Sequence, residues 1–217
     1  MAIGKVLILS TSVAKIKDTP SGCWVEEVAA PYYAFKTKGI AADIASVKGG
    51  EIPWDPNSTK GDFFTPTAQA FSNDVEAKEA CTKSKPLSSI DSIDGYDALF
   101  IPGGHGIVFD GPGNKEMAAL IVKFWTAGKI VSAVCHGPIA LCGVEVDGKP
   151  LVEGKKVTGF SNSEEDAVGK TAEMPFLLES RIKELGGNYS SMADWHSHVV
   201  TDGKLITGQN PQSRGID

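Results

Sequence analysis

The sequence predicts a doubly wound α/β domain, with one mostly parallel sheet flanked by helices. Three observations predict it. Short apolar runs recur at 5–10, 97–102 and 130–134, as in strands buried on both faces. Helical patterns separate them, so strand and helix alternate along the chain. Two of the runs end in Gly-rich turns, Gly103-Gly104-His105-Gly106 and Cys135-His136-Gly137-Pro138, where sheets of this kind place their sites.

Lys5 to Ser10 reads as a buried strand, and Pro20-Ser21-Gly22 breaks the chain after it. Val25, Val28, Ala29, Tyr32 and Phe35 then form a helical stripe closed by Gly39, with Pro31 signalling a kink. Ile40 to Val47 is a second strand. Lys48 to about Ser88 is rich in Gly, Pro, Ser, Asn and Asp and reads as a loop-rich excursion with one short helix near Asp74 to Lys83. Asp97 to Pro102 is the next strand. Lys115 to Ala127 is the clearest helix: Met117, Leu120, Ile121, Phe124 and Trp125 share one face and Gly128 sits past its end. Ile130 to Val134 is a strand, followed by a short apolar helix to about Gly143, and Asp147-Gly148 makes a tight turn. Lys156 to Phe160 reads as a strand and Pro175 to Leu185 as a helix with Pro at its start. His198 to Gly208 is a hairpin turning at Asp202-Gly203.

The chain has 217 residues, 41% hydrophobic and 22% charged, enough for one well-buried core and marginal for two domains. A single domain spanning 1–217 is the expectation, with the excursion at about 48–88. Its 21 basic and 27 acidic side chains give a formal charge of −6, which excludes a global basic field for nucleic acid or anionic lipid. No stretch approaches the roughly eighteen continuous apolar residues of a membrane span. The opening Met-Ala-Ile-Gly-Lys-Val-Leu-Ile-Leu lacks the features of a signal peptide. Four cysteines without a C-x-x-C pair point to reduced thiols and a cytoplasmic protein.

Ala133-Val134-Cys135-His136-Gly137 follows a strand and precedes a helix, the context of a nucleophile elbow with Cys in place of Ser. Such a turn exposes the side chain, and the helix N-terminus favours thiolate over thiol. The backbone N–H groups of the first turn can receive an oxyanion. A structural cysteine at a strand end is the alternative. Gly103-Gly104-His105-Gly106 offers a second donor loop; as an alternative it is a flexible turn. His196-Ser197-His198 with Asp194 nearby reads as a metal pair or, more simply, a polar surface strand. Cys142 reads as core, Cys81 as exposed, and Cys23 as near the site. Trp24, Trp54 and Trp195 line a pocket mouth or pack in the core. Gly49-Gly50 and Gly186-Gly187 lack dinucleotide-binding spacing.

Cys135-His136-Gly137-Pro138 with Gly103-Gly104-His105-Gly106 upstream resembles the ThiJ/PfpI superfamily of class I glutamine amidotransferase-like folds. Gly22-Cys23-Trp24-Val25-Glu26-Glu27, Asp55-Pro56-Asn57-Ser58, Thr158 to Glu165 and Thr207-Gly208-Gln209-Asn210-Pro211 are similar to its other segments, so the likeness spans nearly the whole chain. It points to the heat-shock-induced chaperone and glutathione-independent glyoxalase (glyoxalase III) branch, with a flavodoxin-like architecture. The resemblance implies that Cys135 is the nucleophile, that Glu27 is a protonated acid bonded to the thiolate, and that His136 is the general acid/base oriented by Glu165. It implies an oxyanion and substrate-binding site around Gly104, His105 and His136. Periodicity alone puts Glu27 opposite the apolar stripe, on the solvated side of its helix. The choices of Glu27 over Glu26 and Glu165 over Glu164 rest on the resemblance.

It implies a cofactor-free enzyme, without a metal, that converts methylglyoxal or glyoxal to D-lactate or glycolate, with protein deglycase activity as an extension. Its partners are a small aldehyde and a second copy in a homodimer. Relatives continue into a closing helix after the Gln-Asn-Pro segment; its absence leaves apolar surface for a partner chain to cover. Three other readings stand beside this one: a stress-responsive holdase binding unfolded client proteins, a cysteine-based oxidative sensor, and a cysteine peptidase or amidase.

Overall fold

The computed structural model describes residues 4–214. Seven strands form one sheet: β1 (Lys5–Ser10), β2 (Ala41–Ser46), β3 (Lys85–Pro86), β4 (Ala98–Ile101), β5 (Ile130–Val134), β6 (Val199–Asp202) and β7 (Leu205–Gly208). Their spatial order is β6-β7-β5-β4-β1-β2-β3, and every neighbouring pair is parallel except the β6–β7 hairpin. β1 lies inside the sheet, with Leu7, Ile8 and Leu9 fully buried, which is why its sequence carries no polar alternation. The chain winds outward from β1 to β2 and then returns to place β4 on the other side. The strand order therefore reverses between β1 and β4, where open α/β sheets form a crevice. Register aligns Ile101 with Ala133 and Val134 with Gly208, so β4, β5 and β7 end together at that crevice.

Helix α1 (Val25–Thr37) runs through Pro31 and follows β1 as the periodicity predicts. Its first N–H is capped from outside: Ser58 Oγ accepts from Val25 N at 3.2 Å and itself donates to the Asp55 carbonyl. The excursion holds two helices rather than one, α2 (Pro66–Asn73) and α3 (Val75–Thr82). Thr65 caps the first, with Pro66 at the opening position; Asp74 ends it and caps the second. Helix α4 (Lys115–Thr126) starts on an Asn114 cap and buries Met117, Leu120, Ile121 and Phe124. Trp125, predicted on the same stripe, is only half-buried.

Four expectations change. The turn after β5, Gly137–Gly143, is a 3₁₀ segment, not an α-helix. Of Lys156 to Phe160 only Lys156–Val157 pairs, with Asn188–Tyr189 in a separate small sheet; Phe160 instead donates its N–H to the Cys135 carbonyl at 2.9 Å. α5 (Asn162–Ala167) follows, and the helix expected from Pro175 starts at Leu178, as α6 (Leu178–Glu184). Cys81 is buried, not exposed. The chain end where the closing helix was expected to be missing lies outside the described residues.

Phe124 is fully buried on α4. Phe124→Ala is expected to cost about 3–5 kcal/mol, read as a lowered urea midpoint, because the sheet face beneath it cannot collapse into the void.

Candidate active site

Cys135 follows the last residue of β5 in a left-handed backbone conformation, φ 58°, which a non-glycine residue rarely adopts. Hydrogen bonds to Gly208 and from Phe160 hold its backbone on both sides. The side chain is 3% exposed. Burial pushes the thiol well above its ordinary range, and the Glu27 carboxylate adds to the rise; the backbone N–H groups of Gly104 and His136 pull it down. The expected drop from the helix N-terminus is thus outweighed by desolvation.

Glu27 lies in the first turn of α1 and is fully buried, not solvated as periodicity requires. The excursion covers the outer side of this turn, so both of its faces are inside. Its two acids diverge. Glu26 receives the Thr65 hydroxyl, whereas Glu27 Oε2 accepts the Gly103 N–H at 2.7 Å and its carboxyl reaches the Cys135 thiol. The approach needs glycine at 103: a Cβ there would sit 2.6 Å from the His136 nitrogen and 2.9 Å from Glu27 Oε2.

His136 Nδ1 is 3.4 Å from Cys135 Sγ, and its Nε2 is 2.7 Å from Glu165 Oε2. The other oxygen of Glu165 is 2.8 Å from His105 Nε2. One carboxylate therefore bridges two imidazoles, whose ring centres are 4.3 Å apart. Burial alone would raise the Glu165 carboxyl; the His136 and His105 rings more than reverse this and hold it well below the carboxylate range. Burial and then His105 push His136 below its ordinary 6.5, so it is a neutral base at pH 7. Glu164 is excluded from this group. It closes the Ser161 capping box at the start of α5 and accepts from Trp195 N and Asn210 Nδ2. The Gln209-Asn210-Pro211 segment is accordingly structural, tying the loop that carries Trp195 to α5.

A family model described as DJ-1/PfpI family matches residues 24–214. The chain belongs to the DJ-1/PfpI family. Glyoxalase 3 of Candida albicans is 34% identical over 96% of this chain and 93% of its own. A glutathione-independent glyoxalase of Saccharomyces cerevisiae is 32% identical over 98% and 94%. Among solved structures, glyoxalase III of C. albicans superposes with a TM-score of 0.90 at 33% identity, covering 97% of this chain and 92% of that one. The 24-kDa Rapid Encystment Protein of Francisella tularensis gives 0.92 at 38% identity, with 98% and 94% covered.

In this DJ-1/PfpI chain Cys135, His136, Gly104 and His105 line a cavity of about 550 Å³. Of the two readings open for the tryptophans, Trp24 and Trp195 take the pocket-lining one, and Trp54 packs on Phe71. Phe63, edge-on to Trp24 at 5.3 Å, and Phe160, 4.3 Å from the His136 ring, were not predicted. Phe63 sits in the excursion without a pattern to mark it, and Phe160 reads as strand core. Cys23 is buried, as are Cys81 and Cys142, whose thiols burial pushes up to about 12. His196 and His198 do not converge: one bonds the Asp194 carbonyl, the other Ser190 Oγ. His105, His136 and Glu165 are close enough to share a cation, with ligand atoms within 4.8 Å. Both Nε2 atoms already bond the carboxylate, so a cation would have to replace two protons.

Glu165→Gln keeps an acceptor oxygen for one imidazole N–H and sets an amide NH2 against the other. The variant is expected to lose about 1–3 kcal/mol of stability at pH 7. Because the folded carboxyl titrates below its ordinary 4.5, this stabilisation is complete above that pH and is lost as pH falls through the lower folded value. Denaturation midpoints of the two proteins should therefore converge in acid. A gap that is constant with pH would contradict the assignment.

Proposed function

We propose that this protein is a glutathione-independent glyoxalase acting on small 2-oxoaldehydes. The observation that carries the reading is the cluster in which Glu27 and Glu165, both buried, flank Cys135 and His136, which line the cavity, in a chain whose relatives are named for that activity.

Cys135 and Glu27 share one proton. With the proton on Glu27, the sulfur carries the charge and receives the Gly104 and His136 N–H groups. The thiolate attacks C1 of methylglyoxal: an S–C1 bond forms, and the carbonyl pair moves to oxygen and is protonated, giving a hemithioacetal. The same N–H groups stabilise the charge as it moves from sulfur to that oxygen. Neutral His136, fixed by Glu165, takes the C1 proton; the pair becomes a C1–C2 double bond and the C2 carbonyl becomes a hydroxyl. Protonation at C2 and loss of the C1 hydroxyl proton give a thioester of lactate. Water adds to C1, the S–C1 bond breaks, and lactate and the thiol result. Overall one methylglyoxal and one water give one lactic acid.

The cavity exceeds a three-carbon aldehyde, which supports the deglycase extension toward glycated side chains at the aromatic mouth. The proposal includes a homodimer and, from four free thiols, a reducing cytoplasmic setting. No helix among the described residues is long and apolar enough to cross a membrane.

Purified protein is expected to form D-lactate from methylglyoxal without glutathione. Cys135→Ser should lower kcat by at least about 10³-fold and Glu27→Gln by about 10²-fold. No lactate from folded native protein would overturn the reading, and client protection that survives Cys135→Ser would then favour the holdase.

A further inference from the structure

We propose that His105 is a second acid–base residue of the site, serving the substrate carbon next to the one bonded to Cys135. The proposal rests on the glyoxalase reading above. An ionised carboxylate only accepts, so both imidazoles must present Nε2–H to Glu165. Each ring then turns its Nδ1 away from the carboxylate. That of His136 faces Cys135 Sγ at 3.4 Å. That of His105 has no hydrogen-bond partner among the described residues, yet it is not sealed in protein, and the side chain lines the same cavity as Cys135.

A histidine kept only to brace Glu165 would need nothing beyond its Nε2. His105 is 7% exposed, and it lines the cavity with its Nδ1 left free of any protein partner among the described residues. Its loop is rigid: Gly104 has φ +92°, and a Cβ there would lie 2.3 Å from the Gly22 carbonyl. The two rings stand 4.3 Å apart, a spacing that suits adjacent carbons of one small substrate.

The isomerisation needs two proton positions. When His136 removes the C1 proton, the electron pair moves to the C1–C2 bond and the C2 carbonyl oxygen must be protonated. A proton taken up from water on His105 Nδ1 is passed to that oxygen, which leaves His105 in its neutral Nε2–H form. In the next step His136 releases to solvent the proton it took from C1, the C1 hydroxyl loses its proton to solvent as well, the C1 carbonyl re-forms, and C2 receives a proton. Delivery of that proton by His105, recharged from water, comes from one face of the enediol and yields one enantiomer. Without a second imidazole the proton comes from water and the facial preference weakens.

His105→Gln keeps an N–H donor for Glu165 but has no titratable nitrogen. The variant is expected to form lactate about 10²-fold more slowly, with mixed D and L product, while iodoacetamide alkylates Cys135 at a rate within about twofold of native because that half of the site is intact. Added imidazole should partly restore His105→Ala. Native-like turnover of His105→Gln would overturn the proposal, as would slow but enantiopure D-lactate without imidazole rescue, the signature of a positioning role. The native protein is the control: if it makes no lactate, the glyoxalase reading falls and this role with it.

Discussion

A single buried carboxylate, Glu165, bonded at once to His136 and His105, is the constraint on which the site depends. A carboxylate taken out of water costs several kcal/mol unless its oxygens are met by donors, and here each oxygen has one imidazole N–H. That requirement fixes the tautomer of both rings and aims their remaining nitrogens. It also ties two strand-end loops together, because His105 follows β4 and His136 follows β5. The parallel register that ends these strands side by side is what makes a shared carboxylate geometrically available.

The surrounding chain serves the same end. Glu164, one residue earlier, is committed to the α5 cap and to Asn210, so α5 is held in the rotation that turns Glu165 inward. Gly103 lets the β4 loop lie against His136, and its N–H fixes Glu27 beside the thiol. Cys135, in a left-handed conformation bracketed by Gly208 and Phe160, is strained where reactive residues commonly are. Desolvation and the Glu27 carboxylate both favour the thiol, and the Gly104 and His136 N–H groups oppose them. Its ionisation, with the proton passed to Glu27, is therefore a property of the whole cluster.

Much of this was legible in the residues. β1 and β5 match their predicted bounds because buried parallel strands are written as unbroken apolar runs. Cys135 and His136 were legible as a strand-to-turn motif. Glu27 was not legible from periodicity, since the excursion covers the outer face of the first turn of α1; the family resemblance alone selected it. The choice between Glu164 and Glu165 was open to a local signal that went unused: Ser161-x-x-Glu164 is a capping box, which commits Glu164 and leaves its neighbour available. Thr65-Pro66 likewise marks the start of α2. The resemblance put His105 in the oxyanion and substrate-binding loop, but its bond to Glu165 was invisible, because only the fold brings it to a carboxylate far along the chain.

The most direct test of this account is an ¹⁵N-resolved NMR spectrum of the histidine rings in the native protein and in Glu165→Gln. The account predicts Nε2–H tautomers with strongly downfield, slowly exchanging protons at both His105 and His136, and loss of that pair of signals in the variant. A His136 ring protonated on Nδ1, or a pair unchanged by removing the carboxylate, would contradict it.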